Sequence, residues 1–196
     1  LHSHLACADE DHWLNSKQLA LFSEVRSRVS AQRFSLANSA GIFLGRDYSF
    51  DLVRPGLALS GGTPTPKSRD DIRPVVFPEG QVLQVRQVDA GDSIGYNATF
   101  VAPTSMTVAI LNVGYADGFW RSLGAVSAGF FEGYALPIIG RISMDLIALD
   151  ATRAHGLREG DWIALDFDLE ANAAASAMSQ YELLTGLGRR FQRIWI

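Results

Sequence analysis

The sequence predicts an α/β segment followed by a mostly-β domain, and three observations carry that prediction. Residues 1–62 alternate short apolar runs with a helical stretch, the pattern of βα units whose strands pair in parallel. Residues 73–196 hold short alternating apolar segments separated by turns such as Ala90-Gly91-Asp92 and Glu159-Gly160-Asp161. Between them, TPTPKSRDD (63–71) is rich in proline and charge, as a boundary should be. The division expected is 1–64 for the α/β part, 65–72 for a linker and 73–196 for the β domain.

The elements follow from local pattern. LHSHLA (1–6) reads as a strand leading through CADEDHWLNS (7–16) into a helix at about 13–31. There Leu14, Leu19, Phe22, Val25 and Val29 recur near three- and four-residue spacing and form one apolar stripe. FSLAN (34–38) reads as a second strand, after which Ser39 opens a short helical turn that Gly45 ends. DLVRPGLALSGG (51–62) is a third apolar run, broken by Pro55 and closed by two glycines. Three such units need both sheet faces covered and are too few to close a barrel of about eight strands. Strands are then expected within 76–88, 92–102, 105–115, 124–151 and 161–167, with a last helix over about 170–187.

Composition narrows the function classes. The chain has 196 residues, 47% apolar and 19% charged, as a soluble globular protein does. A net charge of −4 without a Lys/Arg cluster argues against nucleic-acid binding. No apolar run reaches the roughly 18 residues that span a bilayer, so no membrane partner is expected. The single cysteine, Cys7, excludes an internal disulfide and favours a reducing, cytoplasmic setting. The chain opens Leu1-His2-Ser3-His4 without an initiator Met, and LHSHLA reads as a strand already inside a fold. A piece of a longer protein is therefore expected.

Two motifs carry candidate chemistry. NVGYADGF (112–119) and GRISMDL (140–146) each end an apolar strand in a glycine-containing bend, bearing Tyr115 and Met144-Asp145 respectively. Glycine serves where backbone turns sharply or approaches a ligand closely, and a tyrosine placed there can exchange a proton. Ser39 follows a strand and opens a helical turn, so its hydroxyl and nearby amides read as an anion site, with the Pro55-Gly56-Leu57 turn offering further N–H groups. His2 and His4 form an H-x-H pair on one strand face, a spacing used for zinc, but no third and fourth ligand is evident and no metal is expected. Ser60 is not a hydrolase elbow, because Ala58 stands where G-x-S-x-G needs glycine.

Seven segments in order extend this reading: HSHLACADE (2–10), LANSAG (36–41), FDLVRPGLALSGG (50–62), RPVV (73–76), VGYADG (113–118), GRISMDL (140–146) and YELLTGLGRR (181–190). Together they resemble the C-terminal half to two-thirds of the alanine racemases, enzymes that use pyridoxal 5'-phosphate. The resemblance implies the last βα units of a TIM-type (β/α)8 barrel followed by a mostly-β C-terminal domain. It further implies interconversion of L- and D-alanine for peptidoglycan precursor supply, by a head-to-tail homodimer.

Roles transfer residue by residue onto matching positions. His4 matches the histidine beside the cofactor ring. Ser39, with the N–H groups of Gly56 and Leu57, matches the phosphate grip, and Arg54 the arginine facing the pyridine nitrogen. Tyr115 matches the catalytic tyrosine, Met144 the residue whose N–H meets the substrate carboxylate, and Asp145 follows it as in the family. Arg189 stands where some members offer a tyrosine to the phosphate, and Ser60 where many place an aromatic. Tyr115 and Met144 would serve a partner's cofactor, while His4, Ser39 and Arg54 serve their own subunit's. The family's second base is the lysine that holds the cofactor covalently; neither Lys17 nor Lys67 matches it. The central-barrel arginine that supports the tyrosine has no match either. The chain alone is thus expected to be inactive, with a separate N-terminal segment as a further partner. The rival readings are a non-catalytic β-domain interaction module with remnant barrel motifs and, more distantly, a metal-dependent hydrolase.

Overall fold

The computed structural model describes residues 1–195. They form two compact units, Leu1–Val75 and Val76–Ile196.

In the first unit the expected strands shrink to single parallel bridges, His2 with Ser35 and Asn38 with Arg54. The order and parallel sense agree with the βα pattern; the extent does not, because backbone hydrogen bonds pass through few residues. Ser3 donates to Ser35 O and Ser35 to Leu1 O, both at 3.1 Å, and Arg54 donates to Ala37 O at 2.9 Å. Helix α1 spans Trp13–Arg28, three residues shorter than expected, because Val29 turns extended (φ −118°, ψ 131°). His12 caps its start, Nδ1 accepting from Leu14 N at 3.2 Å. Only Phe22 of the five-residue apolar stripe is buried; Val25 and Val29 are exposed, since no element of this unit covers them. Phe22 instead anchors a small core with Leu5, Ala8, Phe34, Leu36 and Ala40, meeting Phe34 and Phe50 edge-on. Helix α2 is a single turn, Ser39–Ile42, ending at Phe43 rather than Gly45. Within the third run the one helical piece is a four-residue 3-10 turn, Leu57–Ser60. The expected linker is packed: Pro66–Ser68 form another 3-10 turn, with Ser68 fully buried.

The second unit is a closed six-stranded barrel. Its strands are β1 (Glu79–Val88), β4 (Met106–Leu111), β5 (Ala128–Phe131), β6 (Tyr134–Ile139), β7 (Ile147–Asp150) and β8 (Trp162–Leu165), in the order β1-β4-β7-β6-β5-β8. Strands β2 (Ser93–Ile94) and β3 (Phe100–Val101) form a separate hairpin. Every pair is antiparallel. β1 is the strand that closes the barrel, pairing β8 through Glu79–Gln81 and β4 through Val82–Val88. A bulge between Val82 and Gln84 bends it between those two partners.

Closure leaves no free edge among the six strands, and the β2–β3 hairpin region covers the second face of β4. Ala109 and Leu111 join the main core with Leu149, Ile163 and Phe119, whereas Met106 and Val108 pack with Ile94 and Ala102 beside the hairpin. The last helical stretch is broken. Helix α3 (Leu169–Ser176) stops at Ala177 in the left-handed region (φ 55°), and α4 (Gln180–Gly186) restarts behind a Ser179/Glu182 capping box. Leu183 of α4 is fully buried in the main core. Leu149, wholly inaccessible at the barrel centre, makes a direct stability test. Leu149→Ala should cost roughly 2–5 kcal/mol by transfer and cavity terms, read as a lower urea midpoint of the barrel transition.

Candidate active site

The residues singled out in the sequence fall into two groups, one in each unit. In the first unit, Ser39 is buried, and its Oγ accepts from Gly56 N at 2.9 Å and from Ala58 N at 3.2 Å. The hydroxyl proton of Ser39 is left free to donate outward. The Gly56 and Ala58 amides are thus both taken by Ser39 Oγ, while the Leu57 amide donates to nothing among the described residues.

Arg54 sits on the same bridged strand ends. Its Nη1 donates to Ser35 Oγ and its Nη2 to Ser3 O, each at 2.6 Å, fixing the guanidinium on both neighbouring segments. His4 is exposed on the first of those segments. Asn38 Oδ1 is taken by Gly41 N at 2.8 Å, so its amide nitrogen faces His4 Nε2, 3.4 Å away. Gln18 of α1 holds the His4 segment from the other side, donating to His4 O and accepting from Ala6 N, both at 2.9 Å. Gln18 was not singled out in the sequence, where one polar residue on a helix carries no signal. No cluster of three or more His, Cys, Asp or Glu able to hold a metal occurs among the described residues.

In the second unit, barrel topology brings the two motifs together. Leu111 at the end of β4 pairs with Ile147 at the start of β7, so the loop leaving β4 and the loop entering β7 share one barrel end. Tyr115 N then donates to Ser143 O at 3.0 Å and Ala116 N to Met144 O at 2.9 Å. Gly114 permits this approach: a Cβ there would lie 2.4 Å from Met144 O and 2.5 Å from Ser143 O. Gly118, at φ +91°, closes the turn, and a Cβ on it would lie 2.2 Å from Gly186 O. Tyr115 is half-buried, with Arg121 over its ring at 4.7 Å. Its hydroxyl has no hydrogen-bond partner among the described residues. Met144 is exposed, and its N–H likewise donates to nothing among them.

Arg190 is the residue that sequence reasoning missed here. Its Nε and Nη2 bind the buried Asp117 carboxylate at 2.6 and 2.8 Å, and its Nη1 binds Asp145 at 2.6 Å. Asp117 Oδ2 also accepts from Gly114 N at 2.9 Å. Asp117 first, then Asp145, push the Arg190 pKa above the ordinary arginine value, against a smaller opposing effect of burial. Arg189, the neighbour singled out in the sequence, is exposed and unpartnered among the described residues.

Comparison with known proteins gives matches to both units. Residues 1–64 match the family model for the alanine racemase N-terminal domain, and residues 75–195 that for the C-terminal domain. Alanine racemase of Rhodospirillum rubrum is 46% identical over 197 residues, covering 97% of this chain and 53% of that protein. A catabolic alanine racemase of Agrobacterium fabrum is 42% identical over 200 residues, covering 99% and 52%. Among solved structures, alanine racemase from Bartonella henselae with covalently bound pyridoxal phosphate superposes with a TM-score of 0.87 at 43% identity, covering 100% of this chain and 56% of that one. The enzyme from Streptomyces coelicolor gives 0.88 at 29% identity, covering 100% and 55%. The chain spans about half the length of the curated relatives it matches. With the C-terminal family model alone covering residues 75–195, and the docked Tyr115 and Met144 loops inside that span, this chain belongs to the alanine racemase family.

Proposed function

We propose that this chain supplies the phosphate grip, the ring-nitrogen contact and the proton-transferring tyrosine of a racemase that interconverts L- and D-alanine. The first unit is then the end of an α/β barrel. The observation that carries the reading is Tyr115, docked through its backbone on the Met144 loop with a hydroxyl that has no hydrogen-bond partner among the described residues.

Pyridoxal 5'-phosphate fits the first unit by its donor set. The Gly56 and Ala58 amides hold Ser39 Oγ in place, and the Ser39 hydroxyl proton and the Leu57 amide are the donors this turn would offer a phosphate. Bound there, the cofactor supplies an electron sink for chemistry at the substrate α-carbon. Arg54 would offer its remaining N–H groups to the pyridine nitrogen and, unable to give up a proton, would leave that nitrogen unprotonated. His4, with Asn38 beside its imidazole, would pack against the ring. Tyr115 holds or moves the proton at its hydroxyl on one face of the α-carbon, and the Met144 N–H binds the substrate carboxylate. Arg189 adds a cation for the phosphate.

Racemisation needs a second base on the opposite face. Lys17 lies on α1 with its ammonium 5.3 Å from the Trp13 ring, and Lys67 lies in the 3-10 turn Pro66–Ser68. Neither belongs to the His4, Ser39 and Arg54 group, so the covalent lysine comes from outside these residues. The working form is a homodimer in which Tyr115 and Met144 of one copy serve the cofactor of the other.

The test is an assay of the intact protein carrying this chain, with L-alanine in buffered deuterium oxide. Both enantiomers should appear with deuterium at the α-carbon, whereas the 196-residue chain alone should show neither. Intact protein that holds pyridoxal phosphate yet leaves L-alanine unexchanged overturns the reading.

A further inference from the structure

We propose that Arg190 is a positioning residue that sets the register of the Tyr115 loop against the Met144 loop. The proposal deepens the racemase reading and rests on it for its kinetic arm.

Three segments far apart in sequence converge on this one guanidinium, 73 residues from Asp117 and 45 from Asp145. Asp117 Oδ2 receives both Arg190 Nη2 and Gly114 N, so the oxygen that fixes the arginine also fixes the amide just before Tyr115. Nη1 reaches Asp145, the residue next to Met144. Gly188 N donates to Asp117 O at 2.8 Å, tying the arginine's own backbone to the same turn. Tyr115 and Met144 are thus each one residue away from a group held by the same side chain or its carboxylate.

Arginine suits this task for a geometric reason. A planar fork of five donors holds two carboxylates at a fixed separation and angle, which a lysine ammonium cannot do. The two arms also differ. The Asp117 side chain is 5% exposed and poorly screened, whereas that of Asp145 is 53% exposed and accessible to salt. The Asp117 arm therefore anchors, and the Asp145 arm couples.

Three variants separate positioning from general structure. Arg190→Lys keeps a cation for buried Asp117 and should fold, yet loses the second carboxylate. Asp145→Asn weakens the coupling arm alone. Arg190→Gln removes both arms. In the intact racemase, kcat should fall about 10-fold for Arg190→Lys and about 100-fold for Arg190→Gln, the scale of a misplaced reacting group, with KM for alanine moving much less. In the 196-residue chain, hydrogen exchange at the Gly114, Tyr115 and Ala116 amides should accelerate in both arginine variants, while β4 and β7 amides stay protected. Asp145→Asn should lower kcat with Gly114 still protected.

Unchanged exchange at Gly114 to Ala116 in Arg190→Lys overturns the proposal. So does acceleration spread evenly over β4 and β7, which marks Arg190 as general structural support. Should Arg190→Gln fail to fold, the other two variants decide. A wild-type protein without racemase activity, but with the expected exchange pattern, would sink the functional reading and leave the loop coupling standing.

Discussion

Replacing Tyr115 with phenylalanine is expected to lower racemisation roughly 10²–10⁴-fold, the range that a positioned general acid or base supplies, while leaving the fold intact. Structural neutrality follows from the hydrogen bonds. The hydroxyl has no partner among the described residues, so its removal leaves no buried group unsatisfied. The ring keeps its place under Arg121, whose Nε is itself fixed to Ile142 O at 3.3 Å. Under the proposed function, the loss follows from removing the phenol that would carry a proton on one face of the α-carbon. The check combines chiral chromatography with deuterium incorporation. With one of two bases removed, exchange of one enantiomer should persist while its conversion to the other nearly stops. A Tyr115→Phe enzyme that turns over at the wild-type rate would remove the tyrosine from the mechanism.

What the sequence makes legible here depends on how locally each feature is encoded. The alternation in SMTVAILNV specifies a strand, and β4 forms there, because side-chain burial on a pleat reads out every second residue. Its burial on both faces is not legible, since the hairpin beside Met106 and Val108 comes from a separate segment, Ser93–Val101. The break between α3 and α4 could have been read. Ser179 and Glu182 stand at capping-box spacing inside the Ala-rich stretch, a start signal where a continuous helix was expected. Ala177 gives no such warning, because nothing about an alanine foretells a left-handed backbone.

The α1 stripe illustrates the reverse case. Spacing located the helix, but of its five-residue apolar stripe only Phe22 is buried, since spacing cannot say whether anything within the unit covers Val25 and Val29. At the site, the bends that carry Tyr115 and Met144 were legible from Gly114, Gly118 and Gly140, because tight turns need particular residues. Their mutual docking was not, because it arises from the pairing of β4 with β7. Arg190 was hidden for a simpler reason. It sits beside Arg189 in one dipeptide, and only the fold determines which of the two faces Asp117.

Gly114→Ala should damage both the stability of the second unit and the activity that depends on its loops. The glycine has an ordinary extended backbone (φ −155°), so strain in φ is not the cause. Space is. The added methyl would lie 2.4 Å from Met144 O, 2.5 Å from Met144 C and 2.5 Å from Ser143 O, all backbone atoms that no side-chain rotation can relieve. The loops must separate, which breaks the Tyr115 and Ala116 hydrogen bonds to Ser143 and Met144 and disturbs the Gly114 amide on Asp117. Overpacking and lost hydrogen bonds together should cost roughly 2–4 kcal/mol, visible as a lower thermal midpoint. Racemisation should fall at temperatures where the variant is still folded, because the phenol and the Met144 amide no longer keep their separation. The contrast with Tyr115→Phe is the informative part. One variant removes the reactive atom and preserves the scaffold; the other preserves every functional group and moves the scaffold. If Gly114→Ala lost stability but kept full activity when folded, loop docking would be a matter of folding alone, and the catalytic argument built on it would have to give way.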